Sequence, residues 1–133
     1  MDVLFLDANV LFSAAYRHDS GLRRLWHLEK VRLVTSSYAV EEARRNLEAS
    51  EARKRLVDLL DAMEVVPEPA RGTELLPTEV DLPEKDLPIL RAAVESGATH
   101  LITGDLSHFG PHFGRKLAGV RILIPGDYLR TRS

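Results

Sequence analysis

Asp7, Glu42, Asp86 and Asp105 are the residues whose types and placement suit a shared chemistry. Asp7 closes a short apolar run, Val3 to Leu6, and Asn9 follows two positions later. Glu42 falls in the second turn of an expected helix, Asp86 at the start of another, and Asp105 just past a fourth expected strand. Carboxylates gathered in one place repel unless they share protons or cations. Nearby lysines do not match these four one for one. The economical solution is a hard divalent cation, Mg²⁺ or Mn²⁺, which takes oxygen ligands and keeps several waters. Such an ion polarises a phosphoryl oxygen, lowers the pKa of an attacking water and stabilises the leaving oxygen. That combination suits phosphodiester hydrolysis.

Each acid also has a plainer reading. An aspartate at a helix start, such as Asp86, is more often an N-cap than a ligand. Glu42 could be a solvated helix acid like its neighbour Glu41. Asp105, within Thr103-Gly104-Asp105, could be a turn residue or a cap. Asp7 is harder to set aside, because an acid directly after a buried strand is uncommon without a partner. Singly, the plainer reading wins for two of the four; together, at successive strand-to-helix connections, they favour a metal site.

The elements that must position these acids alternate between strand and helix. Val3 to Leu6 is a continuous apolar run, as expected of a strand covered on both faces. Residues 9–16 read as helix or turn, residues 18–21 (HDSG) as a break, and Leu22, Leu25, Trp26 and Leu28 as a short helical stripe. A second strand is expected over 31–35 (VRLVT). Ser36 and Ser37 are N-cap candidates for the next helix, where Ala39, Val40, Ala43 and Leu47 share a face. Glu42 flanks that face and Glu41 points further from it. Leu56, Leu59, Leu60 and Met63 mark a helix over 51–63, and Glu64 to Val66 a third strand. Pro67, Pro69, Gly72, Pro77 and Pro83 make 67–83 a loop. Residues 86–97 read as a helix with a glycine stop, followed by strands at 100–103 (HLIT) and 121–124 (RILI). The last of these is ended by Pro125-Gly126.

Strands separated by helices imply a parallel sheet with helices on both faces. The expected fold is therefore α/β, a three-layer αβα sandwich with a central parallel sheet of about five strands. Strand ends and the helix starts that follow them share one edge of such a sheet, where ligands bind in open α/β folds. The topology thus directs all four acids to that edge.

The chain has 133 residues, so a single domain over 1–133 is expected. A hydrophobic fraction of 44% and a charged fraction of 29% are those of an ordinary soluble globular protein. The absence of cysteine excludes disulfide and thiolate chemistry and suits a reducing compartment, so a cytoplasmic location is expected. No apolar run approaches a membrane span, and the MDVLFLD start lacks the basic segment of a signal peptide. A net charge of −2 argues against non-specific nucleic-acid binding by the whole surface, though not against a local basic patch.

The LFLDANVLFSA, SSYAVEEARRNL and KDLPILRAAVESGATHLITGD segments resemble the PIN-domain family. These are metal-dependent ribonucleases that include the VapC-type toxins of toxin–antitoxin pairs. The resemblance spans nearly the whole chain, and the spacing of Asp86, Leu90, Ala93, Gly97 and TGD is its most specific part. It implies that Asp7, Glu42, Asp86 and Asp105 hold Mg²⁺ or Mn²⁺ directly or through water, with Glu41 the competitor of Glu42. Asn9 and Thr103 would orient those ligands. It further implies in-line hydrolysis of RNA leaving a 5′-phosphate and a 3′-hydroxyl, a homodimer, and in many such toxins an antitoxin peptide laid over the site.

Other features have plainer explanations. His108 and His112 lie four apart, a spacing that binds metal on a helix, but Gly110 and Pro111 between them argue against one and against a zinc site. Arg44, Arg45, Arg53, Lys54 and Arg55 read first as a solvated basic face. Arg44 and Arg45, close to Glu42 in sequence, are candidates for RNA phosphate contacts. Trp26 suits a core or a dimer interface better than a base-stacking platform. Two other functions compete. A haloacid-dehalogenase-like phosphatase also opens with a strand ending in aspartate, but it wants a second aspartate where Asn9 stands. A non-catalytic RNA-binding or regulatory module would be expected to have lost at least one of the four acids.

Overall fold

The computed structural model describes residues 1–67 and 82–132; residues 68–81, most of the stretch expected to be a loop, lie outside the described residues. Its sheet is built from β1 (Asp2–Leu6), β2 (Val31–Ser36), β3 (Glu64–Val66), β4 (His100–Ile102), β5 (Lys116–Leu117) and β6 (Val120–Leu123). The strand order is β3-β2-β1-β4-β6-β5. Every pairing is parallel except that of β5 with β6. β1 is central, and Leu4, Phe5 and Leu6 are fully buried, as the unbroken apolar run requires.

The chain steps from β1 to β2 to β3 in one direction, then crosses back to β4 on the other side of β1. Right-handed crossovers therefore place α1 (Ala8–Tyr16), α2 (Ser37–Asn46) and α3 (Ser50–Leu60) on one face. The same rule places α4 (Leu87–Glu95) and α5 (Leu106–Phe109) on the other. α1 packs on both α2 and α3. The reversal of direction lies between β1 and β4, and the crevice at their carboxyl ends is where an open α/β sheet accepts a ligand.

Local chemistry explains the element ends nearest that crevice. Ser36 caps α2, its Oγ accepting from the Ala39 N–H at 3.1 Å. α2 buries Ala39 and Ala43 and lays Leu47, just past its end, into the core. The stripe of Leu22, Leu25 and Trp26 forms a 3₁₀ segment rather than an α-helix. Trp26 is half-buried there, and its Nε1 donates to the Leu59 carbonyl at 3.0 Å. Among the described residues no helix is long and apolar enough to cross a membrane.

Three elements go beyond the expected set. β5 adds a sixth strand as a hairpin with β6. α5 and α6 (Pro125–Thr131) follow β4 and β6 directly. The hairpin turns on two residues, Ala118 at φ 50° and Gly119 at φ 84°. Both are left-handed, as a tight hairpin turn demands, and the alanine Cβ pays a steric penalty there. Ala118→Gly is expected to stabilise the fold by about 0.5–1 kcal/mol, read as a higher midpoint in thermal unfolding.

Candidate metal centre

The crevice between β1 and β4 is a cavity of about 410 Å³ lined by Asp7, Ala8, Asn9, Phe12, Glu42, Asn46, Lys85, Asp86 and Asp105. The four acids therefore reach one space from four separate connections. Asp7 sits one residue past β1, where its N–H still donates to the Ile102 carbonyl of β4 at 3.0 Å. Thr103 sits one residue past β4, its N–H bonded to the Leu123 carbonyl at 3.1 Å. The sheet ladder thus continues beyond both strand ends and fixes the backbones that carry the site.

Asp7 is buried, and its two carboxylate oxygens have separate tasks. Oδ1 accepts from the Ala8 N–H at 2.7 Å, starting α1. Oδ2 accepts from the Thr103 hydroxyl at 2.8 Å and from Asn9 Nδ2 at 3.2 Å. Asn9 Nδ2 also reaches the Thr103 hydroxyl at 3.2 Å, and Asn9 Oδ1 accepts from the Gly104 N–H at 2.7 Å. The Thr103 hydroxyl accepts in turn from the Asp105 N–H at 3.1 Å. Asn9 and Thr103 therefore lock Asp7 to the turn that carries Asp105.

The electrostatics show a site short of positive charge. Burial pushes the Asp7 carboxyl up to about 6, against the pull of the Thr103 and Ala8 hydrogen bonds and with added repulsion from Glu42 and Asp86. Burial also raises Asp86, partly offset by His108 and reinforced by Asp105. Asp105 is pushed up by burial too, but donors from the His108 N–H and the Ser107 hydroxyl outweigh that and hold it below its ordinary value. The Asp86 side chain makes no capping bond to α4, so the plainer reading of that residue has no hydrogen bond behind it. Its Oδ2 is shielded from solvent and stands 2.8 Å from His108 Nδ1.

Glu42 and Glu41 separate cleanly. Glu42 faces the cavity together with Asn46, one turn further along α2. Glu41 points outward and pairs with Arg44 at 2.8 Å.

A buried carboxylate with a raised pKa and four acids lining one cavity fit a hard divalent cation. Asp7, Glu42, Asp86 and Asp105 are the acids that would hold it, directly or through water; among the described residues Asp86 and Asp105 fall in one close group of ligand atoms, whereas Asp7 and Glu42 line the cavity without joining that group.

Residues 3–107 match the family model described as PIN domain. The chain belongs to the PIN-domain family. Its fold is shared with a chain of VapBC2 from Rickettsia felis, whose crystal structure holds a DNA fragment from their promoter. The TM-score is 0.69 at 18% identity, covering 90% of this chain and 96% of that one. None of the curated proteins matches the sequence.

The basic residues of this PIN domain are placed differently from the sequence expectation. Neither Arg44 nor Arg45 lines the cavity; Arg44 instead borders a groove between α2 and α3 with Arg53 and Lys54. Among the described residues, the cation that lines the cavity is Lys85, directly before Asp86. His108 is the larger omission. Its Nδ1 stands 2.8 Å from both Asp86 Oδ2 and Asp105 Oδ2. His112 lies on the following 3₁₀ turn and does not join that group. The spacing of the two histidines pointed to each other; the fold points His108 across to α4.

Proposed function

We propose that this PIN domain is a metal-dependent endoribonuclease and the toxin of a toxin–antitoxin pair. The observation that carries the reading is the convergence of Asp7, Glu42, Asp86 and Asp105 on one cavity at the β1–β4 reversal. Mg²⁺ or Mn²⁺, when bound, supplies Lewis-acid activation of the scissile phosphate and of a water. The protein's part is to hold and orient. Asp7, Glu42, Asp86 and Asp105 bind the ion, while Asn9 and Thr103 keep Asp7 in one rotamer. Lys85 at the cavity wall attracts the phosphate that enters. Arg44 and Arg45 contact RNA phosphates outside the cavity, along α2. Hydrolysis leaves a 5′-phosphate and a 3′-hydroxyl. The fold shared with a VapBC2 chain supports an antitoxin partner, and a homodimer in the cytoplasm belongs to the same proposal.

The test is cleavage of a mixed RNA pool with Mn²⁺ or Mg²⁺, beside an EDTA control. Metal-dependent cutting is expected. RNA binding with no cutting under any metal would overturn the nuclease reading in favour of a binding module. Two variants refine it. Glu42→Gln is expected to weaken Mn²⁺ binding by about tenfold or more, and Glu41→Gln to leave it within about twofold. Isothermal titration with Mn²⁺ reads both, and equal losses would make Glu41 a participant.

A further inference from the structure

We propose that His108 is a direct ligand of the divalent ion, binding through Nδ1 beside Asp86 and Asp105, and that this imidazole biases the site toward Mn²⁺ over Mg²⁺. The proposal rests on the metal-site reading above and adds to it a nitrogen donor from α5.

Geometry carries the argument. Asp86, Asp105 and His108 form the one group of possible ligand side chains, among the described residues, whose donor atoms all lie within 4.8 Å of one another. His108 Nδ1 stands 2.8 Å from an oxygen of each carboxylate. At that distance one imidazole nitrogen is within interaction range of both carboxylates at once, so the three side chains already face a common point. His108 Nδ1 and Asp86 Oδ2 are both shielded from solvent. Ligands at right angles around an ion with bonds of about 2.1 Å stand roughly 3.0 Å apart, each off the other's bond axis. The two 2.8 Å approaches of Nδ1 to Asp86 and Asp105 are close to that spacing.

The acid row also has an order. Asp7 feels Glu42 and Asp86, whereas Asp86 feels His108 and Asp105. Asp86 thus interacts both with Asp7 and with the Asp105–His108 pair. Asp105 holds His108 in place, because its Oδ1 accepts the His108 backbone N–H at 3.1 Å and starts α5. A neutral imidazole is a better ligand for Mn²⁺ than for Mg²⁺, which prefers oxygen and its own waters.

The deciding measurement is pulsed electron paramagnetic resonance of the Mn²⁺-loaded full chain, read for nitrogen coupled to the metal. Nitrogen modulation of directly bound imidazole is expected in wild type and absent in His108→Ala and His108→Asn, with His112→Ala unchanged. Two variants guard against misfolding, and the wild-type spectrum stands without either. In titrations, Mn²⁺ affinity should fall about tenfold or more in the His108 variants, and Mg²⁺ affinity by clearly less. Bound Mn²⁺ without nitrogen coupling overturns the assignment of His108, even if RNA is cleaved. Nitrogen coupling without RNA cleavage overturns the nuclease reading and leaves His108 a ligand. Failure to bind Mn²⁺ at all overturns both.

Discussion

An Asp7→Asn protein is expected to lose metal-dependent RNA cleavage by about 10³-fold, the equivalent of ~4 kcal/mol, and yet to melt several degrees above wild type at pH 8. Both halves follow from one buried carboxylate. Asp7 is only 5% exposed, and burial lifts it from 3.8 to about 6. The folded chain therefore holds that proton more tightly than the unfolded chain does. Stability from this group is complete below pH 3.8 and is lost as pH rises through about 6. Each pKa unit is about 1.4 kcal/mol, so ionised Asp7 costs the metal-free fold roughly 3 kcal/mol above that range. Asparagine removes the charge but puts an amide nitrogen where Oδ2 now accepts from Thr103 and Asn9, at a cost of about 1 kcal/mol. A net gain of about 1–2 kcal/mol is left near pH 8, disappearing below about pH 4. Thermal melts of both proteins at the two pH values read it. Mn²⁺ should then raise the melting point of wild type and not of the variant. A variant that cleaves RNA as wild type does would remove Asp7 from the mechanism. One that melts lower at pH 8 would show that the hydrogen bonds outweigh the burial cost.

That tension between fold and site also explains which features were legible in the chain. Val3 to Leu6 could be read because a strand buried on both faces must be apolar throughout, and the acid after it then stands out. The helices carrying Ala39, Ala43 and Leu47, and Leu56 and Leu59, announced themselves by spacing, since each packs one stripe inward. β5 left no such signal: two residues are too short for a period, and its hairpin turns on Ala118-Gly119 rather than a strong turn pair. Pro125-Gly126 looked like a stop after β6. The structure puts Pro125 at the first position of α6, where its fixed φ and missing N–H cost nothing. Tyr128 from that helix is buried, and its hydroxyl donates to Asp2 at 2.6 Å, joining the last helix to the first strand. Burial raises that phenol well above its ordinary range. His108 was legible only as half of a pair with His112. Its contact with Asp86 joins α5 to the start of α4 across all of α4 and β4, a tertiary relation that no local spacing encodes.

Thr103→Val is the sharpest test of how Asp7 is held, because it removes one hydroxyl and almost no volume. The Thr103 side chain is fully buried, and its hydroxyl donates to Asp7 Oδ2 while accepting from Asn9 Nδ2 and the Asp105 N–H. Valine leaves the carboxylate with one donor fewer and orphans the Asp105 N–H. The expected loss is about 2–4 kcal/mol at pH 8, the sum of a hydrogen bond to a charged group and an unsatisfied donor. The Thr103 bond is the strongest influence holding the Asp7 pKa down, so its loss should push that carboxyl higher still. The penalty is therefore largest above about pH 6, where Asp7 is ionised, and shrinks in acid as Asp7 takes up its proton. Cleavage should fall about 10- to 100-fold, because a ligand that turns freely binds the ion less well. Thr103→Ser keeps the hydroxyl and should recover most of both. In the Asp7→Asn background the stability cost of Thr103→Val should drop by more than about 1 kcal/mol, since the charged acceptor is already gone. Denaturant unfolding of the four proteins gives that coupling directly. An additive result would mean that Thr103 stabilises the sheet edge through Asp105 and Asn9, with Asp7 held by its own backbone.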